Sequence, residues 1–216
     1  MKREQVINSL TEIGDELPSN QEGMQEMEKI ANRIVSYLDT DHATWNEIER
    51  MQMILGLQVL IHNIVMTGTI LFLALLTGML WEAAILLTAY GALKMTVGGV
   101  HFKTSCACLT ATTAFVMTGV LVSRRLDIGL VSIAIIYAAC FITLMIIGPQ
   151  GTENNPISEE NFEKLRKKAA WIILIYLIIT FFMRSENLKN VPYLLLIAVV
   201  FETLSVLPSY IKNRSS

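Results

Sequence analysis

"LDIGLVSIAIIYAACFITLMII", Leu126–Ile147, decides the fold class. A helix needs about 20 mainly apolar residues to cross a bilayer, and this stretch is long enough and apolar enough to do so. Further apolar blocks lie at roughly 52–77, 80–93, 106–123, 168–183 and 191–208. Of the 216 residues, 53% are hydrophobic and only 17% charged, and the apolar content comes in blocks rather than at amphipathic spacing. The pattern predicts an all-α, polytopic integral membrane helical bundle of about six membrane segments, preceded by N-terminal amphipathic helices. A net charge of −2 and a pI near 5.9 argue against a nucleic-acid partner, since phosphate binding needs a concentrated basic face. The lipid bilayer is the partner that composition indicates.

The blocks are not equal. Residues 52–77 and 126–147 span easily and 191–208 is adequate, whereas 168–183 is short and relies on Lys168 and Arg184 snorkelling at its ends. "LWEAAILLTAYGAL", 80–93, has Glu82 near its start and Gly91 near its end, and reads either as a full span or as a re-entrant segment.

Residues 1–50 carry eleven of the nineteen acidic residues. They read as two amphipathic helices, one with Val6, Leu10, Ile13 and Leu17 on a face, the other with Met24, Met27, Ile30, Ile34 and Leu38. Thr44 and Glu47 form a candidate capping box for the helix that enters the membrane. The division expected is a cytoplasmic amphipathic helical region, 1–50, and a membrane peptidase domain, 51–216. The N-terminal stretch has charge but no apolar core or small-residue cleavage site, so it does not read as a secretory signal. Lys and Arg are retained on the cytoplasmic side. With six spans and the N-terminus inside, 13 of the 17 fall inside; if the second and third blocks do not cross, 11 do. The longest loop, "GPQGTENNPISEENFEKLRKK", Gly148–Lys168, breaks structure until Ser158 caps a helix with Glu160/Lys164 and Glu163/Lys167 at favourable spacing. Those charges fit a solvated helix face, or a basic cluster that attracts an acidic segment or anionic lipid.

The reactive groups gather in "GGVHFKTSCACL", Gly98–Leu109. On an unbroken helix residues seven apart are separated by about 10.5 Å along the axis, too far for His101 to reach Cys108. Adjacent glycines, Gly98 and Gly99, favour a break or a close backbone approach. That leaves His101 on a loop, Thr104 or Ser105 as an N-cap, and Cys108 in the first helical turn. A thiol there feels the positive end of the helix dipole, a nearby imidazole can hold its proton, and the unpaired N–H groups can serve an oxyanion. Spacing alone leaves three readings open: a polar hinge with small buried thiols, a metal site on His101, Cys106 and Cys108, and a Cys/His nucleophile pair. Three sparse cysteines, Cys106, Cys108 and Cys140, read as reduced thiols.

Gly98-Gly99-x-His101 followed by Cys108 resembles the accessory gene regulator B (AgrB) family, membrane cysteine endopeptidases of Gram-positive bacteria that process quorum-sensing propeptides. "GPQGTENNPI" before a basic helix is similar to the family's Pro-rich loop, and the order of apolar blocks extends the likeness over nearly the whole chain. The resemblance implies that Cys108 is the nucleophile and His101 its base, while Cys106 has no counterpart. It also implies cleavage of an AgrD-like propeptide with cyclisation to a thiolactone or lactone, a homodimer, and a multi-pass protein of the bacterial cell membrane working at the cytoplasmic side. Where the family commonly has arginine before the glycine pair, this chain has Lys94, which keeps the charge and loses the bidentate fork. Substrate contacts are expected at Lys94, Gly98, Gly99, Lys103 and Glu202, with no metal and no cofactor. The reading of a different class is a non-enzymatic membrane binding or transport protein with a His/Cys hinge.

Ionisable groups inside apolar blocks are expensive and usually face a bundle interior. His62 and Asn63 lie in the first block, where His62 reads as a hydrogen-bonded packing residue rather than part of catalysis; Glu82 reads as an interfacial residue, and Glu202 as either an interior hydrogen-bonding group or a substrate contact.

Overall fold

The computed structural model describes residues 21–38, 46–98, 105–150, 159–185 and 190–215. These residues form seven helices: α1 (Gln21–Leu38), α2 (Glu47–Leu76), α3 (Leu80–Val97), α4 (Ser105–Ser123), α5 (Leu130–Ile147), α6 (Glu159–Ser185) and α7 (Val191–Ser215). Lipid offers no partner to a backbone N–H or C=O, so a helix, which satisfies them within itself, is what such apolar blocks must form. Glu47–Leu76, Leu80–Val97, Leu130–Ile147 and Val191–Pro208 are long and apolar enough to cross a membrane, and Ala107–Ser123 is a shorter apolar helix. Large apolar side chains such as Phe72, Trp81, Val131, Ile146, Trp171 and Phe182 are exposed on the helices, as lipid-facing groups are. This is a polytopic helical membrane protein.

The segment that the sequence left ambiguous is one continuous helix. α3 runs through Gly91 and past residue 93 to Val97. Lys94 does not end it, because its ammonium turns back one helical turn to the Tyr90 hydroxyl at 3.1 Å. Gly98 ends it, with φ of 80° and its N–H on the Lys94 carbonyl.

The chain divides into two compact units, residues 1–66 with 103–107, and residues 67–102 with 108–216. The described part of the first unit is α1, residues 46–66 with most of α2, and residues 105–107 at the start of α4. Among the described side chains of α1, those of residues 29–37, Ala31 and Val35 are buried, while Ile30 and Ile34, expected on the apolar face, are 45% and 39% exposed; the side chains of Met24, Met27 and Leu38 lie outside the described ones. Neighbouring residues stand about 100° apart on a helix, so at residues 30–35 the buried line lies one residue round from Ile30 and Ile34. Arg50 of α2 donates to Ser36 of α1 at 3.0 Å. α2 is capped by Asn46, whose carbonyl accepts the Arg50 N–H and whose own N–H is taken by Glu49 at 3.1 Å. The helix starts at Glu47, so Glu47 is its first residue and Glu49 occupies the third position, where it takes the Asn46 N–H and forms one half of a capping box. Thr44, Ser158 and the predicted helix at Val6–Leu17 lie outside the described residues.

In the second unit α3, α5 and α6 pack on α7. Leu194, Ala198, Val199, Glu202 and Val206 of α7 are completely buried. Gly119 of α4 lies against Leu86 of α3 and Ile197 of α7, and Phe115 lies against Tyr90 and Phe201. α3 and α7 are thus parallel, with α4 antiparallel to both. The Ile128 N–H donates to the Tyr193 hydroxyl at 3.3 Å, and Cys140 lies beside Thr203, so α5 runs with α7. Tyr137 meets Thr180, and Gly148 meets Phe162, so α6 runs against α5. One end of the unit consequently gathers the C-terminal ends of α3, α5 and α7 and the N-terminal ends of α4 and α6.

In a bilayer the acyl chains are as apolar as leucine, so association relies on close packing and interhelical hydrogen bonds. A Cβ at Gly119 would stand 2.8 Å from the Leu86 side chain, which is why a glycine lies there. The buried Tyr137–Thr180 bond, 3.0 Å, and the Tyr176 hydroxyl donating to the Ala89 carbonyl, 3.1 Å, each contribute about 0.6 kcal/mol on the scale usual for such pairs.

At the opposite end Arg124 donates to Glu82 through Nη2 at 2.6 Å and Nε at 3.0 Å, joining the end of α4 to the start of α3. The Arg124 side chain is 37% exposed, so the pair adds less than about 1 kcal/mol. Glu82→Arg is expected to lower the thermal midpoint in detergent by a few degrees, and the double exchange Glu82→Arg/Arg124→Glu to recover most of that loss. A double exchange no better than the single variant would show that the pair contributes nothing.

Candidate functional site

Of the residues expected to act, Lys94, Gly98, Cys108 and Glu202 are described and all belong to the second unit. Gly99, His101 and Lys103 lie outside the described residues, as do the side chain of Cys106 and therefore the metal reading. Among the described residues, no three His, Cys, Asp or Glu side chains are grouped to hold a metal.

Helical spacing places Tyr90 and Lys94 one turn apart near the end of α3. Lys94 Nζ donates to the Tyr90 hydroxyl and lies 5.3 Å from its ring centroid. From α7, Glu202 enters the same region and is completely buried. Its Oε2 accepts from Ser205 Oγ at 3.2 Å, and its Oε1 is buried with no hydrogen-bond partner among the described residues. Lys94 and Glu202 interact electrostatically, and Tyr90 is within electrostatic reach of Lys94, Glu202 and Cys108. Cys108 is half-buried in the first turn of α4. Three helices thus bring an amine, a phenol, a carboxyl group and a thiol together.

An aromatic wall backs this group. Phe115 and Phe201 stack at 3.6 Å between centroids, and Tyr90 is tilted on the first at 5.2 Å and edge-on to the second at 5.4 Å. The apolar wall limits water, which strengthens every electrostatic interaction beside it.

The backbone where α3 ends is held from α5. Gln150 N–H donates to the Val97 carbonyl at 2.9 Å, and Gly98 and Gln150 form an isolated parallel bridge. A Cβ on Gly98 would collide with the Gln150 carbonyl oxygen. Of the break and the close approach expected of the glycine pair, Gly98 shows both. Gly148, with φ of 67°, turns the chain out of α5 beneath the Phe162 ring and so delivers Gln150.

Tyr90, Phe115, Phe201 and Gln150 were not singled out from sequence. Tyr90 had a signal, its place one turn before the lysine; the phenylalanines and Gln150 had none. A shallow apolar groove on α6, between Leu177, Ile178, Phe181 and Phe182, holds no group that could act on a peptide and is a lipid-facing surface.

The profile of the accessory gene regulator B family matches residues 27–206. The chain belongs to the accessory gene regulator B family. It is 26% identical over 183 residues to an AgrB-like protein of Clostridium acetobutylicum, covering 84% of this chain and 86% of the relative. It is 24% identical over 162 residues to accessory gene regulator protein B of Staphylococcus carnosus, covering 74% and 85%. No solved structure matches significantly. Membership in the accessory gene regulator B family associates this membrane protein with quorum sensing.

Proposed function

We propose that the protein is a membrane cysteine endopeptidase that cleaves an AgrD-like propeptide and promotes its cyclisation. Cys108 Sγ attacks the scissile carbonyl as His101 takes its proton. The C–N bond breaks, and the leaving amine receives that proton from the imidazole. A cysteine or serine side chain of the propeptide then attacks the acyl-enzyme, passing its proton through His101 to the departing Cys108 sulfur. Thiol attack exchanges one thioester for another and conserves the acyl activation, which water would dissipate.

The observation that carries this reading is the position of Cys108: the first turn of α4, half-buried, within electrostatic reach of Tyr90, whose hydroxyl Lys94 holds. Lys94, Gly98, Gly99, Lys103 and Glu202 are the substrate contacts of this reading. Basic residues favour the same end: Lys94 near the end of α3, Lys164, Arg166, Lys167 and Lys168 early in α6, and Lys212 and Arg214 at the end of α7. Basic segments remain cytoplasmic, which supports a cytoplasmic site, a cytoplasmic N-terminal region 1–50, and a peptidase domain of 51–216 in the bacterial cell membrane.

The test is reconstitution in liposomes with an AgrD-like propeptide, followed by mass spectrometry. Cleavage is expected to be lost in His101→Ala and retained in Cys106→Ala, with a product lighter than the hydrolysed fragment by one water. Undiminished cleavage in His101→Ala would remove the base from the mechanism.

A further inference from the structure

Two polar atoms in this cluster have no counterpart among the described residues. The Tyr90 oxygen accepts a hydrogen bond from Lys94, which leaves its own O–H to donate, and no described residue accepts it. Glu202 Oε1 is a buried acceptor that no group donates to. A buried polar atom without a partner is costly, and the neighbours of Oε1, Tyr90 and Lys94, are near enough to interact with Glu202 electrostatically without bonding to it. One unpaired donor and one unpaired acceptor within electrostatic reach of each other, the donor also within reach of Cys108, form the complement of a secondary amide, which presents one C=O and one N–H.

We propose that Tyr90 and Glu202 bind a backbone peptide group of the substrate beside Cys108, the Tyr90 O–H donating to its carbonyl oxygen and Glu202 Oε1 accepting its N–H. Lys94 is then a positioning residue in this contact: by occupying the acceptor side of the phenol, it leaves the proton pointing outward. The Phe115–Phe201 stack excludes water from the pair. Recognition through the backbone fixes the register of the peptide against the thiol whatever its side chains are. The buried carboxyl group of α7 takes a substrate contact in place of an internal bond; Ser205 supplies only one of its two oxygens.

The inference rests on the peptidase reading, and its test separates the two. Tyr90→Phe removes the O–H and keeps the stacked ring. Glu202→Met removes both acceptors at similar length, and its folding is checked by thermal unfolding in detergent. Binding of a fluorescein-labelled AgrD-like propeptide is measured by anisotropy in proteoliposomes on the Cys108→Ala background, where no turnover is expected. Each added substitution is expected to weaken binding about tenfold, the loss of one well-placed hydrogen bond to a peptide group. In the enzyme with Cys108 intact, each is expected to raise KM by a similar factor with kcat within about twofold, as the loss of uniform binding does. Unchanged affinity in Tyr90→Phe, or a fall in kcat at constant KM, would overturn the proposal. Propeptide that binds and responds to both substitutions but is never cleaved by the wild type would retain this contact and remove the peptidase reading; propeptide that binds to no version would overturn both.

Discussion

Cys108→Ser reduces propeptide cleavage by at least about 10³-fold on the mechanism proposed, although it replaces a single atom. Serine presents a weak nucleophile unless a base and an oxyanion site are tuned to it, and the acyl-enzyme becomes an ester in place of a thioester. An ester does not give the near-balanced exchange with a substrate thiol that a thioester gives, so cyclisation suffers as well as acylation. Binding should survive, because the hydroxyl fits where the half-buried thiol stood. The check is single-turnover cleavage in liposomes beside propeptide affinity: the expected result is lost cleavage at unchanged affinity. Cleavage within tenfold of wild type would exclude Cys108 as the attacking atom and favour the alternative in which the His/Cys tract is a hinge in a binding or transport protein.

The helices were legible because lipid imposes one solution on an apolar block. Each of the blocks near 52–77, 80–93, 106–123, 126–147, 168–183 and 191–208 is a helix or the apolar part of one. Their ends were less legible, since an end is set by backbone conformation and by side chains that hydropathy does not weigh. The apolar block ended at residue 93, whereas α3 runs on to Val97 with Lys94 inside it, bonded to Tyr90. Glu47, expected at the third position of α2, is its first residue, and Glu49 takes the third, because the capping pattern fits more than one register of the same few residues. Pairings between distant segments were not legible. Glu82 was marked as interfacial, and nothing in the local pattern pointed to Arg124.

The site divides in the same way. Glu202 could be singled out because a charged residue in an apolar block is costly enough to need a reason, and Lys94 because it stands where the family commonly has arginine. That the two approach each other from α7 and α3 follows only from helix packing. Tyr90 was overlooked because a tyrosine in a membrane helix is unremarkable until its hydroxyl is seen held by a lysine with no acceptor of its own. Its spacing from Lys94 was the usable sign, since residues four apart share a helix face. The sequence order of Gly98, His101 and Cys108 suggested a Cys/His pair, and resemblance to the family chose between Cys106 and Cys108, which spacing could not.

Gly98→Ala is expected to be as damaging as the loss of the nucleophile, by a different route. Gly98 has φ of 80° and ψ of −136°, a region that alanine enters only at a cost of about 1–3 kcal/mol. The added Cβ would also meet the carbonyl oxygen of Gln150, a backbone atom that a rotamer change cannot move. Relief requires Gln150 to retreat, which breaks its N–H bond to Val97 and detaches the turn at Gly148 from the end of α3. Lys94 stands one turn before Gly98, and the segment leading to Cys108 begins there, so the damage falls where the proposed substrate contacts meet the nucleophile. Gly91→Ala is the control: Gly91 lies inside the same helix with open space around its Cβ position, and alanine there favours the helix by about 1 kcal/mol. Thermal unfolding in detergent should place Gly91→Ala at or above wild type and Gly98→Ala well below it, with cleavage lost only in the second. Equal midpoints and equal cleavage for the two would mean that the Gly98–Gln150 approach plays no part in holding the site, and that the glycine marks a break in the helix and nothing more.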